Sequence, residues 1–96
     1  MEILFHVTTA AGARLLPPLA RACGRAGRSF GCFFTNDGVA GLRDAALPAA
    51  LAGASRAVVC EESWHRFCAD APCPVELGSQ TINSALMGES ARVVSL

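Results

Sequence analysis

Apolar residues in this chain fall into short continuous runs, separated by segments with helical spacing. Glu2–Thr8 (EILFHVT) is nearly unbroken, with His6 its only interior polar residue. Such a run predicts a parallel strand buried on both faces, with Thr8-Thr9-Ala10-Ala11-Gly12 as the loop at its carboxyl end. The segment to Ala26 then switches to helical period. Leu15, Leu19, Ala22, Cys23 and Ala26 share one face, and Arg14, Arg21 and Arg25 the other. Pro17-Pro18 belong in the first turn of this helix or at a kink, and Gly27 ends it.

Ser29–Thr35 (SFGCFFT) predicts a second strand containing a buried, inert Cys32, and Asn36-Asp37-Gly38 a sharp turn after it. A loosely bounded helix follows through Leu42, Leu47 and Leu51, with Pro48 in its first turn and Gly53 at its end. Arg56–Cys60 is the third strand, and Glu61 to about Ala69 the third helix, striped by Trp64, Phe67 and Cys68. Pro72-Cys73-Pro74 breaks the chain before a short edge strand at Val75–Leu77. Ser79–Met87 is a fourth helix stopped by Gly88, and Ala91–Leu96 (ARVVSL) a last strand.

Strands alternating with helices define an α/β fold: a three-layer sandwich with a mostly parallel sheet of four to five strands and right-handed crossovers. Ligands in such folds bind outside the carboxyl ends of the strands. Thr8 and Thr9, then Asn36 and Asp37, then Cys60 lie there.

Length adds that the 96 residues form one domain with a modest core. The chain is 52% hydrophobic and only 17% charged, an excess that predicts apolar surface covered by another copy of the chain. Basic and acidic residues number 8 each, and the basic ones are dispersed arginines. That argues against the phosphate-neutralising patch that nucleic-acid binding needs. No apolar run approaches the ~20 residues of a membrane span. The start, MEILFHVTTAAG, lacks the basic region of a signal peptide. The 5 cysteines are odd in number and irregularly spaced, which fits reduced cytoplasmic thiols rather than a disulfide framework.

Cys60 is the candidate with the most chemistry. It closes an apolar, β-branched strand, and a helix begins at once, so its thiol sits beneath amide N–H groups and the positive end of a helix dipole. Glu61 and Glu62 suit the helix start but are expected to push the thiol pKa up, with His65 and Arg66 partly compensating. The expected product is a moderately activated thiol.

Other chemistries fit less well. TTAAGAR after the first strand lacks a phosphate-cradling glycine pattern and the P-loop lysine. CEESWHR matches the C-x5-R spacing of cysteine phosphatases, but its glutamates repel a dianion and it has no glycine. Cys60, His65, Cys68 and Cys73 are zinc-ligand types in an unfamiliar spacing without C-x2-C, so no metal and no organic cofactor is expected.

Phe33-Phe34-Thr35-Asn36-Asp37-Gly38-Val39 resembles the F-F-x-x-D-G-V segment of the DsrE/TusD-like sulfur-relay proteins, the DsrE/DsrF-like and YchN-like fold. Cys60, closing the third strand, is similar to their persulfide-carrying cysteine, and the final helix with ARVVSL resembles their last two elements. The resemblance implies a homo-oligomer, trimer or hexamer, that takes sulfane sulfur from a TusA-like carrier and passes it to a DsrC/TusE-like protein. Cys60 would carry the sulfur, with Asn36 and Asp37 as the neighbouring turn and Cys68 or Cys73 as a resolving thiol. The chain departs from the family in being shorter, in Glu61-Glu62-Ser63-Trp64 after the cysteine, and in the extra Cys68 and Cys73. The alternative is a non-catalytic structural or regulatory subunit whose cysteines pack or form a zinc clip.

Overall fold

The computed structural model describes residues 1–69 and 71–96. Its elements in chain order are β1 (Ile3–Val7), α1 (Ala10–Ala26), β2 (Phe30–Phe34), a 3-10 segment (Asn36–Arg43), α2 (Ala46–Ala50), β3 (Arg56–Cys60), α3 (Glu61–Cys68), β4 (Glu76–Gly78), α4 (Gln80–Glu89) and β5 (Arg92–Ser95). All strands are parallel, in the order β4-β3-β2-β1-β5. The chain steps outward from β1 to β4, then returns over the sheet to pair β5 with β1. Right-handed connections put helices on opposite faces when the direction reverses. Accordingly α1, the 3-10 segment, α2 and α3 cover one face, around Phe5, Phe34, Val59 and Trp64. On the other face α4 packs Leu86, Ile82 and Met87 over Leu4, Phe33, Val58 and Cys60.

The buried stripe of α1 is Gly12, Ala13, Leu16, Ala20 and Cys23, about one residue round from the expected Leu15 face; Leu15 itself is 55% exposed. Thr9 sets that rotation by accepting a hydrogen bond from the Gly12 amide at 2.9 Å, so the helix begins at Ala10. Small residues then turn inward and bring the helix close to the sheet. Pro17 and Pro18 lie inside the helix rather than in its first turn. The expected second helix is instead the 3-10 segment followed by one short helix, α2, whose third residue is Pro48. Gly88 does not stop α4, which continues to Glu89.

Register aligns the carboxyl ends. Val7, Phe34, Val59 and Leu77 form one row across the sheet. The next row is Thr8, Thr35, Cys60 and Gly78, and strand alternation turns Thr35 and Cys60 toward the α4 face. The helices that follow β3 and β4 lie on opposite faces, so the topological switch point is between these two strands. At the other edge Leu96 lies across the end of β1, its carbonyl accepting from the Thr8 amide at 2.9 Å and from the Thr8 hydroxyl at 3.3 Å. The opening at the carboxyl edge lies at the switch point, near β3 and β4. Among the described residues, no helix is long and apolar enough to cross a membrane.

Candidate functional site

Cys60 ends β3 and occupies the N-cap position of α3, with φ −60° and ψ 118°. Its burial leaves 6% of the residue exposed, and that remnant faces an open cleft of about 390 Å³. The cleft is lined by Cys60, Glu61, Glu62, His65, Gly78, Ser79 and Gln80. Gly78 is paired with Cys60 across the β3–β4 ladder, and a Cβ there would stand 2.7 Å from Val58 Cγ1 and 3.1 Å from Ile82 Cδ1, so glycine lets α4 pack close to the sheet. A larger hollow of about 530 Å³ lies between α1 and the 3-10 segment, and its lining holds no cysteine or histidine.

Polar groups gather behind the sulfur. Ser63, in the first turn of α3, meets the Thr35 hydroxyl at 3.2 Å and accepts from the Asn36 amide at 3.0 Å. Gln80 Nε2 donates to Thr35 Oγ1 at 3.4 Å. Asn83 Nδ2 donates to Gln80 Oε1 at 3.2 Å and lies 3.5 Å from His6 Nε2. Thr35, Ser63 and Asn83 are buried, while Gln80, which links Thr35 to Asn83, stands exposed at the start of α4.

This surrounding sets the state of the sulfur. Burial pushes the Cys60 thiol up, but the Ser63 hydroxyl and amide, the Gln80 side chain and the Thr35 hydroxyl outweigh it and hold the thiol below its ordinary value. The Cys60 side chain makes no cap hydrogen bond to α3. The expected upward push from Glu61 and Glu62 does not decide the outcome: both side chains stand in water, where their field is screened. His65 Nε2 sits 3.8 Å from Glu61 Oε1 on the exposed side of the cleft. Arg66 is not part of the cleft lining; its guanidinium carbon lies 6.0 Å from the centre of the Phe67 ring. The C-x5-R spacing therefore does not assemble an oxyanion pocket here.

The remaining candidates separate. Asn36 reaches the site through its backbone amide, in the left-handed region at φ 51°. Asp37 is exposed in the first turn of the 3-10 segment. Thr9 caps α1 and Thr8 holds Leu96, so both are structural. Cys68 packs in the cluster on the opposite face of the sheet from Cys60, and Cys73 lies against that same cluster. Cys73 Sγ donates to the Val75 carbonyl at 3.1 Å. Among the described residues no group of three or more histidine, cysteine or acidic side chains could hold a metal ion, which removes the zinc clip there. Cys32 is fully buried and burial pushes its thiol up to about 12, as expected of an inert core cysteine.

Sequence reading missed Ser63, Thr35, Gln80 and Asn83. A signal for Ser63 was present: it stands three residues after the strand-closing cysteine, where a helix directs an amide at its cap. Gln80 and Asn83 carried none, because only the return of α4 across the sheet brings them there. Comparison with family models, curated proteins and solved structures gives no match to this chain.

Proposed function

We propose that this chain is a cytoplasmic sulfur-relay protein of the DsrE/TusD-like kind, in which Cys60 accepts sulfane sulfur and hands it on. The observation that carries the reading is the Cys60 sulfur at the floor of an open cleft, backed by donors that favour its anion. In the receiving step the Cys60 thiolate attacks the outer sulfur of a donor persulfide, R–S–SH. The donor S–S bond breaks, its electron pair leaves on R–S⁻, and Cys60 becomes Cys–S–SH. In the second step an acceptor thiolate attacks that outer sulfur and Cys60 departs as the thiolate. Neither step needs a metal or an organic cofactor. Among the described residues Cys60 is the cysteine of the cluster on its face of the sheet, which suits a carrier that holds its cargo until a partner removes it.

The resemblance of FFTNDGV and of the Cys60 position to the DsrE family supports a TusA-like donor and a DsrC/TusE-like acceptor. A homo-oligomer, trimer or hexamer, is supported by exposed apolar residues on both edge strands: Leu77 on β4, Val93 and Val94 on β5. The test is intact-mass and peptide mass spectrometry after incubation with a protein persulfide donor. One added sulfur on Cys60, absent in Cys60→Ser and removed by an acceptor thiol, is the expected result. An unmodified Cys60 in folded protein overturns the relay and leaves a structural subunit.

A further inference from the structure

One buried atom in the polar chain has no partner: Asn83 Oδ1. Asn83 lies within α4 and is 7% exposed, so water does not serve that oxygen from outside. The amide is therefore held from one side only, by Gln80 Oε1 and by the His6 ring. Nothing on the carbonyl side locks its orientation, and turning the amide over breaks no bond there.

With His6 Nε2 unprotonated, every donor in the chain runs toward Cys60. Asn83 gives its N–H groups to His6 and Gln80, and Gln80 gives one to Thr35; of the Thr35 and Ser63 hydroxyls, 3.2 Å apart, one donates to the other and the second is free to donate to the thiolate. A proton on Nε2 reverses the order. Asn83 must then present its oxygen to His6, which also turns that oxygen toward Gln80. Gln80 must offer its amide N–H to Asn83 and its carbonyl to Thr35. Thr35 then donates to Gln80, and Ser63 is drawn to donate to Thr35 rather than to sulfur.

From this we infer that Gln80 and Asn83 are positioning residues that transmit the protonation state of His6 to Cys60, making the nucleophile a sulfur that is armed only while His6 is neutral. His6 is suited to the part. It is half-buried on the α4 face, stacked on Phe33 with ring centroids 6.2 Å apart, and its pKa is lowered by burial, so it is neutral under ordinary conditions and takes a proton on acidification. Its neighbours carry no charge: Phe33 on β2, Ser95 on β5 and Asn83 on α4. Around Cys60 the titratable groups are Glu61, Glu62 and His65 of α3, with Glu76 of β4 held by Arg56 at 2.6 Å on the same sheet face.

The inference rests on Cys60 being the working thiol, but its test does not require sulfur transfer. The rate of Cys60 alkylation by neutral iodoacetamide is measured on the full chain from about pH 5 to about pH 9, read by peptide mass spectrometry, with circular dichroism confirming the fold at each pH. A lone thiol loses rate about tenfold per pH unit below its pKa; loss of the donor chain lowers the thiolate fraction about tenfold further, so the slope is expected to rise to about 1.5 through the His6 transition and to return to about one below it. His6→Phe, which keeps the stack on Phe33, is expected to return the slope to about one, and His65→Gln to leave it steep. Gln80→Met, at an exposed first helical position, keeps the test open if His6→Phe does not fold: it too is expected to give a slope of about one, with alkylation near neutrality slowed about tenfold. A slope of one throughout in the native chain, or a steep slope that survives Gln80→Met, overturns the inference while leaving the sulfur carrier intact. A Cys60 that resists alkylation throughout overturns both.

Discussion

Thr35 and Ser63, 28 residues apart in the chain, meet hydroxyl to hydroxyl at 3.2 Å behind the Cys60 sulfur. Thr35 follows β2 directly and Ser63 lies in the first turn of α3, so neither reaches the site through its own element alone. Parallel register sets Thr35 level with Cys60, and the helix that starts at Cys60 brings Ser63 back under it. The pair ties the end of β2 to the first turn of α3 behind the cleft, and removing either hydroxyl breaks the line of donors to sulfur.

Ser63→Ala should therefore slow Cys60. A hydrogen bond to an ionised group is worth about 1.5–3 kcal/mol, and about 1.4 kcal/mol is a factor of ten. Alkylation near neutral pH is expected to fall about tenfold or more, and the pH–rate profile to move to higher pH. Stopped-time alkylation with mass readout checks this. A rate equal to that of the native chain rules out Ser63 as the main donor.

Stability should fall on the alkaline side. Burial raises Cys32 to about 12, so its contribution is fully present below the unfolded thiol pKa and is lost as pH rises from there toward about 12. Burial also raises Cys68, with the same sign. Cys60 runs the other way: its lowered pKa contributes stability above the unfolded value that is lost as pH falls through its folded value. The raised groups dominate above the ordinary thiol range of about 8.5, and unfolding free energy from urea titration is expected to drop by about 2 kcal/mol between pH 8 and pH 10. A flat profile across that interval contradicts the burial of Cys32.

Gly38→Ala tests the support of the Thr35 turn. A Cβ at Gly38 would collide with the Val7 carbonyl oxygen and stand 2.7 Å from its carbon, both backbone. The same oxygen accepts from the Thr35 amide at 3.0 Å, and the Gly38 amide donates to the Thr35 carbonyl at 3.1 Å. β1 and the 3-10 segment must separate to admit the methyl. A loss of about 3 kcal/mol is expected, at the upper end for overpacking, with slower Cys60 alkylation as Thr35 shifts. Denaturant titration and the alkylation rate check the two effects separately.

Much of this fold was legible because parallel strands buried on both faces leave uninterrupted apolar runs. Arg56–Cys60 has the bounds that the β-branched run predicted, and the helix begins at Glu61 as expected. Phe30–Phe34 is buried at every position, so its run has no alternation to misread. Where size and burial part company, reading failed. The inward stripe of α1 includes Gly12, Ala13 and Ala20, small residues chosen for close approach to the sheet, while the larger Leu15 points out. The position of Cys60 at the sheet edge was legible for the same reason as β3. Its donors were only half so: Ser63 is local, whereas Gln80 and Asn83 depend on where a reversing crossover lays down its helix.

Leu86→Ala, set against Leu16→Ala, separates that helix from general stability. Both leucines are essentially buried, at 1% and 0% exposure, but on opposite faces of the sheet. Each truncation is expected to cost about 3 kcal/mol through lost burial and the cavity left behind. Leu16 packs α1 against the face away from the cleft, so its loss should leave Cys60 alkylation in the folded protein unchanged. Leu86 anchors α4, the helix packed on the Cys60 face, and α4 carries both Gln80 and Asn83. Its loss should loosen the donor chain and slow alkylation several-fold at the same stability cost. Equal alkylation rates in the two folded variants would show that the placement of α4 does not matter to the sulfur.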